Sequence, residues 1–106
     1  KHKIGGVVFI GGDRHFTEVN RLERAGDYPL YEVTSSPIAS GVAARALKLE
    51  AVNPMRVPGT LVDLQNFCRI DVHGDGKQRT VTIRSVDKTG VERWKLDISA
   101  ADLRRP

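Results

Sequence analysis

At 106 residues the chain has room for one domain with a modest core. Forty per cent apolar and 28% charged residues exclude a collagen-like, mucin-like or mainly disordered chain. The net charge of +4 is scattered among acids, with no basic run longer than two and few aromatics, which argues against nucleic acid as a partner.

No apolar stretch approaches the roughly 20 residues that span a bilayer, and none reads as a secretory signal. The first residue is Lys1 and a strand-like run follows almost at once, as expected of a piece of something longer. The single cysteine, Cys68, excludes an internal disulfide and a zinc site of several thiolates.

Residues 6–10, GVVFI, form a short apolar run rich in β-branched residues, expected as a strand buried on both faces. Gly11 and Gly12 end it. In residues 16–24, Phe16, Val19 and Leu22 recur at spacing three, which predicts a short helical turn closed by Ala25-Gly26-Asp27. Residues 29–36, PLYEVTSS, alternate as a strand that Pro37 ends. Val42, Ala43, Ala46, Leu47 and Ala51 predict an amphipathic helix within 38–53, capped by Ser40. "NPMRVPGT", residues 53–60, should be an ordered loop.

The last third alternates cleanly. Residues 66–73 set Cys68, Ile70 and Val72 against Phe67, Arg69, Asp71 and His73. Asp75-Gly76 signals a hairpin, residues 79–86 return, and Gly90 in "DKTG" supplies a second turn. Residues 91–98 point Trp94, Leu96 and Ile98 inward, and Ser99 caps a final helical turn. The tail is therefore a three-stranded antiparallel meander with one apolar face that something must cover.

Chemistry gathers at "GGDRHF". Asp13 and His15, two residues apart on a loop leaving a strand, can offer a carboxylate oxygen and an imidazole nitrogen to one point. Such a pair suits iron, zinc or manganese; calcium would use the carboxylate alone. Arg14 can offer a fork to a phosphate. An Asp-Arg ion pair and a histidine satisfied beneath a loop are the plainer alternatives. His2 lies at the terminus and His73 beside a hairpin turn, so neither completes a cluster. Cys68 and Trp94 read as core residues, and Ser35-Ser36 as turn residues.

The ordered pieces "GVVFIGGDRHFTEV", "YPLYEVTSSPIASG", "RVPGT", "NFCRIDV" and "DKTGVERWKLDI" together resemble the C-terminal part of PhoD-like alkaline phosphatases, within the calcineurin-like metallophosphoesterase superfamily. The likeness spans roughly residues 5–98, with strand–Gly-Asp-x-His as its most specific piece. It implies that residues 1–106 are one segment, the C-terminal portion of such a domain. The implied fold class is α+β and mainly β, the C-terminal half of a four-layer α/β/β/α sandwich. The implied activity is hydrolysis of phosphate mono- or diesters at a site of iron and calcium, or other divalent ions. Gly12, Asp13 and His15 fall on the family's Gly-Asp-x-His, so Asp13 and His15 would be catalytic metal ligands and Arg14 substrate-binding. The family's other ligand motifs precede this segment and are absent from it. The chain alone is accordingly expected to be inactive, its open side covered by the missing N-terminal half or by a second copy. Secretion, a periplasmic location or the cell surface would suit the family. The alternative is a non-catalytic β-rich binding or assembly module.

Overall fold

The computed structural model describes residues 2–106. It is mainly β, with two three-stranded sheets, one α-helix and two short 3₁₀ turns. In chain order the strands are β1 (Val8–Gly11), β2 (Glu18–Leu22), β3 (Leu30–Thr34), β4 (Asn66–His73), β5 (Thr80–Asp87) and β6 (Glu92–Ser99), and the helix α1 is Ala44–Glu50. No helix among the described residues is long and apolar enough to cross a membrane.

The C-terminal sheet is the expected meander, in the order β4-β5-β6. Cross-strand partners share a face, so its rungs can be read directly. One face carries Val72-Val81-Ile98, Ile70-Ile83-Leu96 and Cys68-Ser85-Trp94. The other carries Arg69-Arg84-Lys95 beside Asp71-Thr82-Asp97. Three cations abreast would repel, but Asp71 pairs with Arg69 and Arg84, and Glu92 pairs with Arg84, so neighbouring rungs neutralise them. The β4–β5 hairpin turns through a 3₁₀ segment, Gly76–Gln78. Gly74 is required there: its φ is +83°, and a Cβ would lie 2.7 Å from the Gln78 carbonyl oxygen. Gly90 adopts φ +86° in the next turn, and Ser99 Oγ accepts the Ala101 N–H at the last one, both as expected.

The N-terminal sheet departs further from expectation. Its order is β1-β3-β2, with β1 parallel and β2 antiparallel to β3. Residues 16–24 supply strand β2 rather than a helical turn. The spacing of Phe16, Val19 and Leu22 imitates a helix because burial here is two-sided. Val19 faces the core, while Thr17, Glu18 and Asn20 are also buried. The loop after α1 accounts for this: it bridges Thr17 with Val62 and Asn20 with Arg56, and Arg21 N–H donates to the Met55 carbonyl at 2.7 Å. This ordered loop closes the outer edge of β2.

Strand β1 forms as expected but is not buried on both faces; Phe9 is 53% and Ile10 70% exposed. It has one neighbour, β3; Val8 packs against the edge of the core, but the strand's later residues run beyond it. Ile70 and Val72 of β4, also an edge strand, are exposed for the same reason. The helix is shorter than the 38–53 window, and Ser40 does not cap it; Ala43 holds that position without a side-chain bond.

The two sheets meet through Val19 and Val33 on one side and Ile83 and Ile98 on the other, with Tyr28 and Leu103 closing the ends. Ile83 is fully buried on the central strand of the meander. Ile83→Ala should therefore cost about 2–5 kcal/mol in urea unfolding; a loss below about 1 kcal/mol would show that the sheets do not pack through it.

Asp87 ends β5 and holds the following turn. Its carboxylate accepts from Thr89 Oγ1 at 2.6 Å, from the Thr89 and Val91 N–H groups, and from Arg93. The Thr89 hydroxyl is the largest influence and, with the other donors, outweighs burial, holding the carboxyl well below the usual carboxylate range. A depressed folded value stabilises the protein above the unfolded value, near about 4, and that stability is lost as pH falls through the folded value. Acid titration of unfolding should be shallower below about pH 4 in Asp87→Asn than in the wild type; identical slopes would remove Asp87 from the acid limb.

Candidate functional site at the end of the first strand

β1 runs out at Gly11, whose carbonyl accepts the Ser35 N–H at 3.0 Å. The next turn is unusual: Asp13 and His15 both have positive φ, 69° and 61°, with Arg14 between them. A non-glycine residue held there costs about 1–3 kcal/mol, although Asp and His visit the region more readily than most. Such strain persists only where the surroundings over-determine it.

His15 is held at three atoms. Its N–H donates to Ser36 Oγ at 3.1 Å, its carbonyl accepts the Ala43 N–H at 3.4 Å, and its Nδ1 lies 2.8 Å from the Gly41 carbonyl. Ser36 is fixed in turn: its N–H donates to Thr17 Oγ1 and its carbonyl accepts the Thr17 hydroxyl, both at 3.0 Å. A carbonyl can only accept, so the contact with Gly41 places a proton on Nδ1. In the neutral ring Nε2 then carries the lone pair, which is how an outer-shell carbonyl prepares a metal-ligating histidine. Asp13 is exposed, and none of the ion pairs among the described residues uses its carboxylate.

The loop thus offers one oxygen and one nitrogen donor. No group of three His, Cys, Asp or Glu side chains suited to a metal occurs among the described residues. Asp13 and His15 therefore fit part of the coordination sphere of an iron, zinc or manganese ion, and the four to six ligands of a complete site require others.

Arg14 stands elsewhere. Its guanidinium lies 4.5 Å from the centroid of the Phe16 ring, and it pairs with Glu18 at 3.4 Å and with Glu50 at the end of α1. Glu18 is fully buried, and Arg56 Nε donates to it at 2.7 Å. Asn20 and Asn53 complete the cluster. Burial works to raise the Glu50 pKa, but the hydrogen bond and charge of Arg14 outweigh it, and the carboxyl lies below its ordinary value.

A cavity of about 490 Å³ opens beside the His15 anchor, with Gly41, Val42, Asp63, Lys88 and Arg93 on its walls. The other residues singled out in the sequence lie apart from it. Cys68 packs against the core, where burial pushes its thiol up and away from nucleophilic character. Trp94 also packs there. His73 is exposed, with Nε2 2.9 Å from the Thr82 hydroxyl, which donates to Asp97. Gly41, Glu18 and Glu50 were not candidates from sequence. Ser36, at a strand end before proline, could be read as bonding the loop or approaching a site, with a turn role favoured, and here its hydroxyl accepts the His15 N–H.

Comparison of the chain with protein-family models, curated proteins and solved structures found no match.

The His15 geometry has a direct check. Nitrogen-15 NMR of the neutral ring should show the Nδ1–H tautomer, the less common one in free histidine; an Nε2–H ring would break the Gly41 contact.

Proposed function

We propose that the chain is the C-terminal portion of a PhoD-like metal-dependent phosphatase or phosphodiesterase, contributing Asp13 and His15 to a metal site that residues outside the chain complete. The observation that carries this reading is the anchoring of His15 at Nδ1, which leaves the Nε2 lone pair of the neutral ring available two residues from Asp13 on a strained loop. The motif resemblance of the sequence supports it. So does the loop's position, at the carboxyl end of a parallel strand pair, where ligands of open α/β sheets gather.

In this reading Asp13 and His15 would be among the ligands of a site of iron and calcium, or other divalent ions. Bound metal would supply a hydroxide nucleophile and neutralise the phosphate oxygens. Ser36 holds the His15 backbone and Gly41 holds Nδ1, so that in the neutral ring Nε2 keeps one direction and its lone pair. The chain alone, with two donors, does not turn over phosphate esters.

The uncovered face of the N-terminal sheet supports a missing half. Phe9, Leu22 and Leu30 line a cavity of about 350 Å³ there with Met55. Parallel strands are ordinarily covered on both faces, and β1 is not. The same face, with only two metal donors, would also suit a non-catalytic assembly module. Metal content and size of the purified chain separate the two, because tight stoichiometric metal in a monomer counts against the module.

The test of function uses the full parent chain and a chromogenic phosphodiester with iron, calcium or manganese. Asp13→Ala and His15→Ala should each lower turnover by at least the roughly 10–100-fold that loss of an outer-shell partner costs a metal site. Unchanged turnover in both would remove these residues from the site.

A further inference from the structure

We infer that Arg14 is a positioning residue, whose bridge between Glu18 and Glu50 sets the conformation of Asp13 and so the geometry of the Asp13–His15 donor pair. The relevance to metal rests on the phosphoesterase reading; the positioning itself does not.

The two donors are held very differently. His15 has its own tethers to Ser36, Gly41 and Ala43. Asp13 is exposed, and its carboxylate enters no ion pair among the described residues, yet its backbone keeps a φ of 69°. On one side it is joined to Gly12, which constrains little. On the other it is joined to Arg14, one of the most heavily anchored side chains in the molecule. The guanidinium sits over Phe16 and on Glu18, both fully buried at the start of β2, and it also holds Glu50. Glu50 is fastened in turn: Asn53 Nδ2 donates to its carboxylate at 3.1 Å, and Arg56 donates to its carbonyl. The clamp therefore reaches from the donor loop through β2 to α1, and Asp13 lies next to its only anchor in the loop.

Removing Arg14 does not leave Glu18 bare. Arg56 still donates to it at 2.7 Å, and Asn20 and Asn53 at 3.4 and 3.3 Å. A variant at position 14 should thus keep the fold and lose the loop setting. This role differs from a fork on phosphate, because both faces of the interaction are already taken by carboxylates of this chain.

The experiment is NMR of the chain in the wild type, Arg14→Met, Arg14→Lys and Glu50→Gln. Backbone couplings and shifts report φ at Asp13 and His15, and added Mn²⁺ reports the donor pair through paramagnetic broadening. In Arg14→Met the positive-φ signature should vanish at Asp13 and survive at His15. The Mn²⁺ needed for half-broadening at His15 should rise about tenfold, the scale of an outer-shell loss. Glu50→Gln, which leaves residue 14 in place, should shift both readouts the same way by less, and Arg14→Lys should recover part of each. An Asp13 signature unchanged in Arg14→Met and Glu50→Gln overturns the proposal. So does a change spread evenly over the chain, which would mark a general loosening. If Mn²⁺ broadens neither residue in the wild type, the metal reading fails, while the Asp13 signature still decides the clamp.

Discussion

The buried carboxylate of Glu18 is the constraint around which the N-terminal half is arranged. A charge taken fully out of water must be paired, because an isolated one costs several kcal/mol even after relaxation, on the order of 5. No single element of this chain can do that. Arg14 comes from the loop after β1, Arg56 and Asn53 from the segment after α1, and Asn20 from β2 itself. Satisfying one carboxylate therefore draws two separate stretches to one strand. The helix follows, since Arg14, Asn53 and Arg56 also hold Glu50. α1 buries no residue of its own, so polar anchoring rather than an apolar face keeps it in place.

The two sheets divide the labour differently. The meander pairs its own three strands, ties the start of β4 to residues 35–37 through the Asn66 and Cys68 N–H groups, and gives its apolar face to Val19 and Val33. The N-terminal sheet has its core side covered and the outer edge of β2 closed by the 53–62 loop. Its β1 edge stays open, as does the part of its far face around Phe9, Leu22 and Leu30, whereas Glu18, Asn20 and Thr34 on that face are buried; the donor loop leaves from β1. In the proposed phosphoesterase reading, the missing ligands and the open β1 edge would thus fall at one place in the fold.

What the sequence revealed follows from whether the signal was local. The meander was legible because each strand is buried on one face, so apolar and polar residues alternate, and because its turns carry glycine where φ is positive. β2 was not legible, because Thr17, Glu18 and Asn20 are buried by a segment some 40 residues further on, and two-sided burial erases alternation. β1 was legible as a strand but not in its exposure, since composition records what a strand is suited to meet, not what this chain provides. At the site, Asp13 and His15 were visible as residue types at a suggestive spacing. The partners that define them were not: Ser36 lies 21 residues away, Gly41 26 and Glu50 36.

That separation also explains how a short loop can hold two non-glycine residues in unfavourable backbone conformations. Strain in a three-residue stretch cannot be maintained by the stretch itself, since local relaxation would release it. Here each strained residue is secured through the rigid part of the molecule by a different route. His15 is secured through Ser36 to the buried Thr17, beside β2. Asp13 is secured only through its neighbour, whose side chain ends in the Glu18 cluster. The two routes converge on the same buried segment, residues 16–20, where Phe16, Thr17, Glu18 and Val19 are all fully inaccessible. The most rigid stretch of the N-terminal half therefore lies directly behind its most strained one. In the phosphoesterase reading, a pair of residues set from behind in this way would leave the remaining ligands to approach from another direction.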